Sequence, residues 1–164
     1  AAIFGGANLA WQESQRGHVI AQSLNFEVDP RIGALAFVPS TEFSTSKARK
    51  MLPESIPHGD AVKNSSNVAV LVQALQNRPD LLLGATADYL HQSYRKDAMP
   101  NSFALMTKLR SAGVAAFISG AGPAVLVLHT GGESEAAELE RAAGDKFQMI
   151  ALGISRTGVS VITA

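Results

Sequence analysis

Cysteine is absent from this 164-residue sequence, which excludes a disulfide framework, a thiolate nucleophile and any cysteine-based zinc site. A chain without cysteine fits a cytoplasmic location, and that location is the expectation. Net charge is missing as well: 14 Lys and Arg balance 14 Asp and Glu, so no overall field draws the chain to nucleic acid or to an anionic membrane. Aromatic residues make up only 6%, and no strand pattern carries paired exposed aromatics, which disfavours an RNA-binding domain. No apolar run approaches the roughly 18 residues that a membrane span needs. The four histidines, His18, His58, His91 and His129, are scattered without an i, i+4 pair, so no metal site is expected.

What is present is a folding composition. Hydrophobic residues reach 46% and charged residues 17%, enough apolar surface to bury a core. The length predicts one domain, or one domain and a piece of another. The chain opens on Ala1-Ala2-Ile3-Phe4-Gly5-Gly6, apolar sequence with no initiator methionine, as expected of a piece of something longer.

Three strands are predicted first, Ala7 to Glu13, Val19 to Glu27 and Ile32 to Val38, separated by turn-like clusters and forming an antiparallel meander. After Pro39 the period becomes helical, beginning with a short basic helix capped by Ser44 or Thr45 and stopped by Pro53. Val68, Leu71, Val72 and Leu75 then repeat at i, i+3, i+4 and i+7, so a long helix from Asp60 has one apolar face. Another helix is predicted from Asp80 to about His91, and a further one from Asn101 or Ser102 to Gly113. Val114 to Ile118 and Ala124 to Leu128 read as strands. Glu133 to Ala143 reads as a helix whose acidic first turn, Arg141 and following Gly144 suit the helix dipole and its end. Phe147 to Ile154 and Val159 to Thr163 close the chain as strands. The pattern after residue 40 belongs to an α+β unit with helices on one face of an antiparallel sheet.

The connection Ser119-Gly120-Ala121-Gly122-Pro123 consists of small residues, so a ligand can approach its main chain and its N–H groups could hold an anion. A tight turn between strands would use the same residues, and spacing alone does not separate the two. With Gly113-Val114-Ala115-Ala116 before it and Val125-Leu126 after it, this string resembles the C-terminal glycine motif of the galacto-, homoserine, mevalonate and phosphomevalonate (GHMP) kinases. Three more strings resemble the homoserine kinases among them: Ser44-Thr45-Ser46-Lys47-Ala48-Arg49, Asp88-Tyr89-Leu90-His91-Gln92-Ser93-Tyr94-Arg95 and Ala98-Met99-Pro100. The resemblance runs from Phe4 to the last strand.

This resemblance implies a GHMP kinase C-terminal domain over 41–164, with a ferredoxin-like antiparallel sheet, and remnant strands of the N-terminal domain over 1–40. It implies phosphoryl transfer from ATP, with Mg2+, to the hydroxyl of L-homoserine. Thr45, Arg49, Arg95, Gly120 and Gly122 are the implied substrate contacts, and Ser119, Gly120, Ala121 and Gly122 the implied nucleotide contacts; no catalytic group is assigned. Two arginines suit a carboxylate; otherwise Thr45 is a helix cap and the arginines are solvated charges. His91, at the end of its predicted helix, is read as a dipole partner or packing residue. The glycine- and serine-rich phosphate loop of the family has no match in the chain, which departs from an intact kinase. Neither nucleic acid nor membrane is an expected partner, and a homodimer is left open. Two alternatives stand: another GHMP small-molecule kinase, or a non-catalytic ferredoxin-like module that binds a small ligand.

Overall fold

The computed structural model describes residues 5–15, 17–41, 44–155 and 157–159, and of Thr45 and Lys47 the backbone alone. Two strands, β1 (Ala7–Gln15) and β2 (His18–Phe26), form an antiparallel hairpin in which Ala7 faces Phe26 and Gln15 faces His18. The other strands, β3 (Gly33–Pro39), β4 (Ala115–Ile118), β5 (Val125–His129) and β6 (Phe147–Leu152), make one antiparallel sheet in the order β4-β5-β3-β6. Taken as first to fourth strands, that order is 2-3-1-4, which is the ferredoxin-like arrangement.

The expected three-strand meander is therefore corrected. β3 leaves the hairpin and pairs with β5 on one side and β6 on the other. A division of the chain after residue 40 would remove a central strand from the sheet. Alternation within residues 32–38 identifies a strand, but its partners lie about ninety residues or more away, beyond the reach of a local pattern.

The helices are α1 (Thr45–Lys50), α2 (His58–Gln76), α3 (Leu82–Ala85), α4 (Pro100–Ser111) and α5 (Glu133–Ala143). Strand register explains the main core. Leu35 and Phe37 on β3 stand opposite Val127 and Val125 on β5, which in turn stand opposite Ala116 and Ile118 on β4. These six side chains share one face of the sheet, and Leu105, Met106 and Leu109 of α4 and Leu139 of α5 close over them. Phe37, Val125 and Val127 are fully buried, each stabilising the fold by about 1.5–3 kcal/mol relative to exposure. A smaller core joins Ile32 and Ala115 to Ala74 of α2 and to Leu82 and Ala85 of α3.

Three local expectations change. The helix predicted to reach His91 stops at Ala85: the Thr86 amide still donates to the Leu82 carbonyl, the Ala87 amide turns to Gly84, and Asp88 then captures the amides of Leu90, His91 and Gln92 that would have continued the ladder. α4 starts at Pro100 rather than at an Asn101 or Ser102 cap; proline has no N–H to leave unpaired in the first turn, and Ser102 is buried. Ser44 precedes α1 with an extended backbone, but its hydroxyl lies 2.9 Å from that of Ser46 and makes no cap bond. The strand predicted over Val159–Thr163 falls, beyond Val159, outside the described residues.

Candidate functional site

Three separate pieces of chain meet beside the end of β4. α1 contributes Arg49, a 3-10 turn at Ser93–Ala98 contributes Arg95, and the β4–β5 connection contributes Gly120 and Ala121. Together with Thr86, Asp88, His91, Gln92, Phe117 and Ile118 they line a cavity of about 470 Å³. The structure thus brings together Arg49, Arg95, Gly120 and Ala121 of the residues singled out from sequence. Thr45 begins α1, four residues before Arg49, and its side chain lies outside the described residues.

The two arginines differ in setting. Arg49 is exposed, and among the described residues its guanidinium has no partner. Arg95 is buried to 7% exposure. Its Nε donates to the Ala48 carbonyl at 3.3 Å and its Nη1 to the Gly120 carbonyl at 3.1 Å. Its Nη2 takes no partner among the described residues, so Arg95 bridges α1 to the glycine loop and still holds donors for a ligand.

Asp88 organises the floor. Its Oδ1 accepts from the Leu90 N–H at 2.9 Å, and its Oδ2 accepts from Gln92 N–H at 2.8 Å and His91 N–H at 3.1 Å. The His91 Nδ1 lies 3.1 Å from Oδ1. A carboxylate that collects three successive amides fixes the segment leading into the 3-10 turn. α2 anchors the preceding loop: Asn67 Nδ2 donates to the Ala87 carbonyl at 2.8 Å, and Tyr89 N–H donates to Asn64 Oδ1 at 3.1 Å.

The glycine connection is a shaped turn. Ser119 N–H donates to the Ala124 carbonyl at 2.9 Å and Gly122 N–H to the Ser119 carbonyl at 2.9 Å. Gly120 and Gly122 have φ of +57° and +86°, in the left-handed region where a Cβ is strained. Two of the N–H groups expected to face an anion are thus spent within the turn. Those of Gly120 and Ala121 take no partner among the described residues.

Behind the cavity, Arg110 donates to Thr86 Oγ1 at 3.0 Å, to the Ala116 carbonyl at 3.0 Å and to the Leu83 carbonyl at 2.6 Å. Burial pushes its guanidinium below the usual arginine range, opposed by the nearby Tyr89. Sequence reasoning assigned no role to Asp88, Gln92, Met99 or Arg110. Asp88 had a readable signal, an acidic residue just before a run of free amides; the others act through tertiary contacts. A cavity of about 420 Å³ between the hairpin and Ile154 is of similar size. It has no Lys or Arg in its lining, and its Asp29 is already paired with Arg31. Among the described residues no three His, Asp or Glu groups converge to hold a metal ion, and no helix is long and apolar enough to cross a membrane.

Residues 70–148 match the family described as GHMP kinases C terminal. The homoserine kinase of Streptomyces avermitilis is 43% identical over 162 residues, covering 99% of this chain and 51% of that protein. The homoserine kinase of Mycolicibacterium vanbaalenii is 43% identical over 168 residues, covering 99% and 54%. The chain spans about half the length of the curated relatives it matches. The crystal structure of homoserine kinase from Cytophaga hutchinsonii superimposes with a TM-score of 0.76 at 24% identity, covering 84% of this chain and 46% of that one, a likeness of fold. The chain is therefore similar along nearly its whole length to about half of a homoserine kinase, and over residues 70–148 to the C-terminal part of the GHMP kinases.

Proposed function

We propose that this chain forms the acceptor-binding half of an ATP-dependent homoserine kinase, which makes O-phospho-L-homoserine for threonine biosynthesis. The observation that carries the reading is the convergence of Arg49, Arg95 and Gly120, from three separate elements, on one cavity. Homoserine presents a carboxylate, an ammonium and a side-chain hydroxyl. The free guanidinium of Arg49 and the unspent Nη2 of Arg95 suit the carboxylate, since arginine presents paired donors matched to its two oxygens. Holding the carboxylate there leaves the hydroxyl, three carbons away, to face the phosphoryl donor.

In the reaction the homoserine hydroxyl oxygen bonds to the γ-phosphorus of ATP and gives up its proton, which ends in solvent, while the bond from that phosphorus to the bridging oxygen breaks and ADP leaves with its electron pair. The open Gly120 and Ala121 amides lie on the same cavity as the two arginines and suit an anionic oxygen, of the homoserine carboxylate or of a phosphate of the nucleotide. Among the described residues no three His, Asp or Glu groups converge on one point; magnesium brought by the nucleotide would be held chiefly by its phosphates, and no step here runs through the ion. The hairpin β1–β2 is assigned to the N-terminal domain of such a kinase. The C-terminal unit is assigned to begin near Asp29, so that β3 stays in its sheet.

Isothermal titration of the chain, supported by NMR detection of weak binding, tests the reading. L-homoserine is expected to bind, and homoserine amide, which lacks the carboxylate charge, at least about tenfold more weakly. Equal binding of the two overturns the arginines as the carboxylate site and, with it, homoserine as the acceptor. Tighter mevalonate binding favours another small-molecule kinase of the same superfamily.

A further inference from the structure

The 3-10 turn and its flanks touch the glycine connection at three successive points. Gln92 Oε1 accepts the Ile118 N–H at 2.6 Å, where β4 ends. Arg95 Nη1 donates to the Gly120 carbonyl at 3.1 Å. Met99 lies under Gly122, where an added Cβ would sit 2.7 Å from its Sδ and Cε. Residues three apart eclipse on a 3-10 turn, so Gln92 and Arg95 present one side, and Met99 continues it after the turn. All three members of the template are buried, and Asp88 holds the amide of Gln92 itself.

We propose that Gln92 and Met99 are positioning residues, which hold the glycine connection in its ligand-binding shape from its root and from beneath its second glycine. Nothing in the loop's own bonds fixes where it sits relative to Arg49. Its internal hydrogen bonds, Ser119 to Ala124 and Gly122 to Ser119, close the turn upon itself. The direction of the open Gly120 and Ala121 amides relative to the arginines is set by the contacts with Gln92, Arg95 and Met99. Gln92 acts through its oxygen. That distinguishes it from a residue that touches ligand with its amide nitrogen, because a glutamate keeps the acceptor and loses the donor.

The inference rests on homoserine as the ligand for its binding readout alone, and the test separates the two. In the 15N-labelled chain, Gln92→Met is nearly isosteric but removes the acceptor. It is expected to speed deuterium exchange at the Ile118 amide, shift the Gly120 and Gly122 signals, and weaken L-homoserine binding about tenfold. Gln92→Glu is expected to keep Ile118 protection and homoserine affinity within about twofold of the parent, since an acceptor oxygen remains. Met99→Leu, which conserves core volume, is expected to shift the Gly122 signal and weaken homoserine binding severalfold while Ile118 stays protected. It also tests the idea if Gln92→Met does not fold. Parent-like exchange and affinity in Gln92→Met, a Gln92→Glu chain as impaired as Gln92→Met, or an unmoved Gly122 signal and affinity in Met99→Leu would each overturn the proposal. Failure of the parent to bind homoserine overturns the acceptor assignment instead, and Ile118 exchange still judges the tether.

Discussion

Arg95 reaches 25 residues along the chain to donate a hydrogen bond to the Gly120 carbonyl at 3.1 Å, while Arg49 lines the same cavity with its guanidinium unpaired among the described residues. The pair therefore makes a split prediction. Arg49→Ala is expected to weaken homoserine binding ten- to hundredfold, or about 1.5–3 kcal/mol, with stability unchanged within roughly 0.5 kcal/mol. Arg95→Ala is expected to weaken binding and also to destabilise the fold, since it strands the Ala48 and Gly120 carbonyls. Arg95→Lys restores part of the binding, because an ammonium keeps the charge but not the fork. Titration calorimetry and thermal melting of each variant check both halves. A destabilised Arg49→Ala would show that Arg49 is structural.

Acid stability depends on the junction between β2 and β3. Arg31 donates from Nη2 to Asp29 Oδ2 at 2.6 Å, and its backbone N–H reaches Oδ1 at 2.9 Å. The Arg31 side-chain bonds, then its backbone N–H and its charge, hold the Asp29 carboxyl at about 2, down from an ordinary 3.8, against the opposing effect of desolvation. A depressed carboxyl pKa contributes stability above the unfolded value, and that stability is lost as pH falls through the folded one. The melting temperature is thus expected to fall between about pH 4 and pH 2 through this group, and Asp29→Asn is expected to flatten that part of the profile. An unchanged slope in Asp29→Asn would assign the acid transition elsewhere.

How far the sequence was legible depended on the range of the interaction. Helix α5 is observed over Glu133–Ala143, as predicted, because Glu133, Glu135, Arg141 and Gly144 are local signals that act on their own helix. The helix expected to reach His91 fails for a local reason that periodicity ignores: the Asp88 carboxylate takes the amides of Leu90, His91 and Gln92 from the backbone ladder. The alternation of residues 32–38 marks β3 as a strand, but carries no information on its neighbours β5 and β6. Within the site, only the resemblance to a family singles out Arg49 and Arg95. Gln92 was invisible, since its partner Ile118 is 26 positions away.

The two glycines of the connection are expected to differ under the same substitution. Nothing lies within 4 Å of a Cβ built at Gly120, whereas one at Gly122 meets Met99 at 2.7 Å. Gly120→Ala carries only the cost of a left-handed backbone, about 1–2 kcal/mol. Gly122→Ala adds overpacking of about 1–3 kcal/mol. Denaturant unfolding of the two variants should rank them in that order, and equal losses would remove Met99 as the reason for glycine at 122.

Catalysis by this chain alone is the final expectation, and the expectation is that there is none. Phosphoryl transfer relies on positioning and on donors preorganised around developing charge. The sequence contains no glycine- and serine-rich phosphate loop beyond the 119–123 connection, and two of the amides there are spent in closing the turn. Binding of homoserine without turnover is the predicted combination, because Arg49 and Arg95 are present while the machinery for the donor is not. Release of ADP from ATP in the presence of L-homoserine, followed with a coupled assay on protein purified from a host lacking its own homoserine kinase, measures this directly. Homoserine-dependent turnover above background would mean that the donor site is built from residues of this chain that the present reading leaves without a role.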